Sequence, residues 1–151
     1  MKKRTVILGS IVVALIVVSI LLKSSFFSSH PPTPIVSVNK LSIPVTEGSY
    51  CWNSLLSGSC VDKAFASPWE MGHKQEPVEV SPKQYMNLFF DKKPQQGSLS
   101  VFQYTNDTDS TRVHVKDGNI VLPSKKGTYV YSISARWEKG DGHYTVAVRV
   151  K

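Results

Sequence analysis

From Thr5 to Leu22 the chain runs without a charge, TVILGSIVVALIVVSILL, behind Lys2, Lys3 and Arg4. As a helix, those 18 residues would span about 27 Å at 1.5 Å per residue, close to the thickness of a bilayer's hydrocarbon core. Cations in front and only Lys23 behind set the amino terminus in the cytoplasm and the remainder outside. A cleaved signal peptide is the competing reading, but it needs two small residues with one residue between them before the cut, and only Ser24, behind Leu22, comes near. The expected organisation is a basic tail over 1–4, a retained transmembrane helix over 5–22, a Ser/Pro-rich spacer over 23–34 and an extracytoplasmic domain over 35–151. The expected location is the cell membrane.

Beyond the spacer the apolar residues recur at every second position, the signature of strands with one face on a core. In GTYVYSISARW, Tyr129, Tyr131, Ile133, Ala135 and Trp137 fall on one face, with Val130, Ser132, Ser134 and Arg136 on the other. Glu138 to Gly142 supplies turn residues, and HYTVAVRV returns with Tyr144, Val146, Val148 and Val150 aligned, which predicts a long carboxy-terminal hairpin. Weaker strands are predicted over Ile35–Ile43, Val78–Val80, Tyr85–Phe90, Leu99–Tyr104, Arg112–Val115 and Asn119–Leu122, punctuated by prolines, with no sustained helical stripe. Short strands with regular turn signals predict an all-β antiparallel sandwich with one core.

Charge changes this picture little. The formal charge is +7, but with Lys2, Lys3, Arg4 and Lys23 assigned to the anchor the exterior keeps 14 basic residues against 11 acidic ones. They are scattered, so no concentrated basic face points to nucleic acid. Cys51 and Cys60 lie outside the membrane with no third cysteine to compete, so they are expected to pair with each other. Closing so short a loop contributes about 2.5 to 3 kcal/mol on the chain-entropy estimate. The spacing is not Cys-x-x-Cys and no neighbouring cation would lower a thiol pKa, which sets a redox pair aside.

The chemistry-bearing residues form no recognisable constellation. There is no Gly-x-Ser-x-Gly elbow, no Gly-rich phosphate loop and no dinucleotide fingerprint. Glu70 and His73 have a spacing that could bind metal from a helix, but Pro68 and Gly72 argue against that helix. Met71, Met86 and His73 raise a copper carrier without forming a Met-rich cluster. No catalytic residue, metal or cofactor is therefore expected. Tyr50, Trp52, Leu55, Leu56, Phe65 and Trp69 concentrate around the cysteines. They either plug one end of the core or leave rings exposed for a partner, with Trp52 and Trp69 as the candidates.

Leu122-Pro123-Ser124-Lys125-Lys126-Gly127-Thr128-Tyr129 resembles the corner before the penultimate strand of immunoglobulin-like domains. The resemblance implies that the Tyr129 hydroxyl bonds back to the chain, and Tyr131 stands where antibody domains carry a Cys. Gly48-Ser49-Tyr50-Cys51-Trp52, the second Cys before Asp62, and Gly-x-Tyr-x-Tyr-x-x-x-Ala-x-Trp followed by Gly-Asp-Gly are similar to uncharacterised surface proteins of Bacillus-type Gram-positive bacteria. That likeness brings no activity with it. The expectation is a non-enzymatic binding or assembly module for an envelope protein or an anionic wall polymer, with a small extracytoplasmic enzyme or copper carrier as the alternative.

Overall fold

The structure is a computed structural model that describes residues 10–19, 29–54 and 57–151. Residues 10–19 are helical (α1). Among the described residues no helix is long and apolar enough to cross a membrane. The rest of the run expected to span, 5–9 and 20–22, lies outside the described residues, as do Leu55 and Leu56.

Two sheets face each other across one core. The first is four-stranded, in the order β2 (Leu41–Ile43), β1 (Ile35–Val38), β6 (Tyr85–Phe89), β9 (Asn119–Val121). The second runs β4 (Gly58–Val61), β3 (Thr46–Asn53), β11 (Gly140–Val150), β10 (Gly127–Trp137), β7 (Ser100–Tyr104), β8 (Ser110–Val113). β5 (Val78–Val80) continues the β3 edge of β11 and pairs with it in parallel, whereas the other pairings are antiparallel. The alternation in β10 and β11 works as expected: Tyr131, Ile133, Tyr144, Val146 and Val148 are buried, facing Val36, Met86, Leu88 and Ile120 in the same core.

Several boundaries differ from expectation, each for a local reason. The strand expected over Ile35–Ile43 is a hairpin, because Asn39 and Lys40 both take positive φ (46° and 70°), as a tight two-residue turn demands. The hairpin turn expected over Glu138 to Gly142 is only two residues long, and Gly142 lies inside β11. The segment read as a stapled loop is a second hairpin, β3–β4, in which Cys51 and Cys60 are direct cross-strand partners and form the disulfide. The end of the spacer is part of the domain: Pro31 and Pro34 are buried, and the Tyr144 hydroxyl donates to the Pro32 carbonyl at 2.9 Å.

The helix argued against does form, as α2 (Pro68–Gly72). Ser67 is its N-cap, accepting from the Glu70 amide at 3.1 Å, and Pro68 sits in the first turn, where its missing N–H costs nothing. Glu70 returns a carboxylate oxygen to the Ala66 amide at 2.7 Å. Gly72 serves contact rather than termination, since a Cβ there would lie 2.5 Å from Val130 Cγ1 on the outer face of the second sheet. Small size lets α2 lie flat on that sheet, and this placement builds the site described next.

Candidate functional site

The outer face of the second sheet carries a cleft of about 620 Å³, within the usual range for ligand sites. Its floor is the start of β11 with β3 and the disulfide, and its roof is segment 62–67 with α2. Phe65, Met71 and the cystine supply apolar walls; Asp62, Asp141 and His143 supply polar groups. A smaller hollow of about 440 Å³ shares Asp141 and His143 and continues towards Ser98, Ser100 and Arg136. Asp141 is the cross-strand partner of Cys51 on one side and of Arg136 on the other, so one row of the ladder crosses the sheet from the disulfide to Arg136.

The charges around the cleft are unequally satisfied. Lys63 Nζ donates to the Glu47 carbonyl and to Glu47 Oε2, each at 3.0 Å, and makes its ion pair there rather than with Asp62. Lys74 pairs with Glu70 at 3.8 Å, and Ser67 donates to Asp107 at 2.5 Å. Among the described residues Asp62 accepts the Ser49 hydroxyl, at 2.9 Å, while Ser49 in turn accepts the Lys63 amide at 3.0 Å. Among the described residues, neither Asp62 nor Asp141 has an ion-pair partner.

His143 forms the cleft floor beside Asp141, its Cβ 3.3 Å from the position a Cβ on Gly48 would occupy. Burial holds its imidazole below the usual histidine range, and the Asp141 charge offsets part of that lowering. The unfolded chain takes up the proton first, so His143 contributes stability that is present above the ordinary histidine pKa and lost as pH falls through the folded one. An imidazole NMR titration is expected to place His143 below about 6.5, and Asp141→Asn to move it lower still. A value at or above the ordinary one would overturn this account.

Ser134, His143 and Asp141 share one face, which invites comparison with a hydrolytic triad. The geometry is wrong for it. Ser134 Oγ lies 3.1 Å from Nδ1 and 3.3 Å from Nε2 of His143, so it sits on the in-plane axis of neither nitrogen, and Asp141 makes no hydrogen bond to the ring. Among the described residues there is no group of three or more His, Cys, Asp or Glu side chains that could hold a metal ion. Glu70 and His73 are spent locally, on Lys74 and on the Trp69 carbonyl.

The sequence-derived site residues separate on this map. Cys51 and Cys60 line the cleft as a disulfide. Trp52 does not reach the surface: it is 3 % exposed and packs edge-on against Trp137 at 5.9 Å, in an aromatic group that includes Phe90 and Tyr144. Period two explains this correction, because Tyr50 and Trp52 are the inward residues of β3 and Cys51 is an outward one. Trp69 is half-buried on α2, its ring 4.5 Å from that of His73. The Tyr129 hydroxyl donates to the Lys125 carbonyl at 2.9 Å.

Asp62, Asp141 and His143 were not singled out as a site from the sequence, since only the pairing of β3 with β11 brings them together. The helix over them could have been found, because Ser67-Pro68-Trp69-Glu70 is a capping-box pattern with Pro in the first position. A second exposed surface lies on the first sheet, where Ile35 pairs with Phe89 and Tyr85 with Val121. Its central positions are Ser37, Asn87 and Asn119, and beside Tyr85 and Val121 it borders a second cleft of about 710 Å³ whose polar groups are His114, Lys116, Asp117 and Asn119. No family model, curated protein or solved structure was found to match the chain.

Proposed function

We propose that the chain is a non-enzymatic binding module, an immunoglobulin-like sandwich held outside the cell by its amino-terminal apolar run, which docks a protein of the envelope through the cleft over β3 and β11. The strand order supports the immunoglobulin-like reading. β11, β10, β7 and β8 correspond to strands G, F, C and C′, β1, β6 and β9 to A, B and E, and the Tyr129 bond to Lys125 to the tyrosine corner. On that reading, β2 to α2 is an insertion between the first strand and the β5 segment beside the last strand, and the insertion is what builds the cleft. The charge-free run behind Lys2, Lys3 and Arg4 supports the anchor.

The observation that carries the function is a cleft combining apolar walls with two carboxylates that, among the described residues, have no ion-pair partner. Those charges favour a protein partner over an anionic polymer, which they would repel. The test is in-cell photocrosslinking of the full chain, with a benzophenone amino acid placed at Phe65 on the cleft wall or at Tyr85 on the opposite sheet. One identified envelope protein captured from position 65 and not from 85 is the expected result. Equal capture from both positions, or none from either, would defeat the reading.

A further inference from the structure

The cleft also indicates what part of a partner it receives. Two exposed carboxylates, Asp62 and Asp141, face one cavity; Lys63, the lysine in its lining, is already engaged with Glu47, and Lys74, which lies over the Phe65 ring, pairs with Glu70. Arg136 stands opposite Asp141 in the ladder but makes no ion pair with it. His143 adds no compensating charge at neutral pH, because burial favours its neutral form. Among the described residues, the lining thus holds two carboxylates without an ion-pair partner, in a chain whose formal charge is +7.

Its walls are of the other kind. Phe65, Met71 and the cystine present rings, methylenes and sulfur, which match an aliphatic stem rather than a hydrated ion. A cavity of about 620 Å³ is far larger than a cation needs. The connected hollow carries the surface onward across β11 and β10 towards Ser100. Four strands at about 4.8 Å spacing give roughly 14 Å of track, the length of about four residues of extended chain.

Resting on the binding-module reading, we propose that the cleft takes a lysine or arginine side chain from an extended segment of the partner. The stem lies along Phe65, Met71 and the disulfide, and the charge meets Asp62 and Asp141. Lysine and arginine bury their stems on apolar surface while the charged head seeks a carboxylate, and this lining offers both.

The test is an amide NMR titration of the full chain in nonionic micelles with acetyl-Gly-X-Gly-amide, X being lysine, arginine, norleucine or glutamate. Lysine and arginine are expected to move the amides of Asp62 to Ala66 and Asp141 to His143, with norleucine and glutamate leaving them in place. In the Asp62→Asn/Asp141→Asn double variant the lysine peptide is expected to bind at least about tenfold more weakly, a loss of some 1.4 kcal/mol. Both positions are exposed, so an unchanged spectrum of the free variant verifies its fold. Equal shifts with norleucine, unchanged binding by the double variant, or no shift with any peptide would each overturn the proposal. Capture of a partner from position 65 alongside such a failure would leave the binding module standing and remove only the cationic side chain.

Discussion

Trp52→Ala is expected to lower the stability of the domain by about 3–5 kcal/mol, the usual cost of truncating a buried large aromatic. For a domain of this size that is a fall of roughly 12–20 °C in the thermal midpoint. The reason is position. Trp52 is 3 % exposed and stands edge-on to Trp137, which meets Phe90 at 5.3 Å and anchors its own indole N–H on the Lys92 carbonyl at 2.9 Å. Removing the ring leaves a cavity bounded by other rings, which relax poorly because each is held by a second contact. Any loss of partner binding in this variant would follow from unfolding. Trp69→Ala is the informative surface change, since Trp69 is half-buried on a five-residue helix and its loss is expected to cost about 1 kcal/mol. Circular dichroism melts of both variants in nonionic micelles decide the matter. Similar midpoints would mean that Trp52 is not in the core.

The contrast between the two tryptophans shows where the sequence is readable. Alternation is a local property, so β10 and β11 are visible from their own residues, and the same rule applied to Tyr50 and Trp52, on either side of Cys51, would have turned Trp52 inward. Glycine, serine and a nearby cysteine pair made that segment resemble a loop instead. The disulfide is legible as a pair from the expected compartment and the count of two cysteines, but not as a cross-strand bond. Pro68 and Gly72 looked like breakers because their usual meaning is interior disruption. At a first turn and at a close contact they serve the helix. What no local rule could supply is the meeting of Asp62 with Asp141, and the parallel pairing of β5 with β11. Both depend on which edge of the last strand β3 and β5 join, and that choice involves burial across the whole core rather than any local pattern.

Gly140→Ala is expected to cost about 2–5 kcal/mol, combining the left-handed backbone penalty with local overpacking. Gly140 takes φ of 152° at the first position after the Glu138–Lys139 turn, neither of whose residues has positive φ, so it absorbs the conformational demand of the hairpin. A Cβ there would overlap the Cys51 carbonyl oxygen and stand 2.9 Å from its carbon. The obstacle is backbone, so no side chain can turn aside. Either the turn is rebuilt or β3 moves off β11, and the second course is open because the disulfide ties β3 to β4 and not to β11. The hairpin carrying Asp62 would then separate from Asp141. Hydrogen exchange is expected to show lost protection over 46–53 and 140–145, with the first sheet unchanged, and the lysine peptide should no longer shift His143. Gly97→Ala is the control, since Gly97 has φ of 77° but nothing within 4 Å of a Cβ, and its cost should stop at about 1–2 kcal/mol. Equal melting of the two variants would show that β3 does not approach β11 so closely, and the cleft built on that approach would lose its floor.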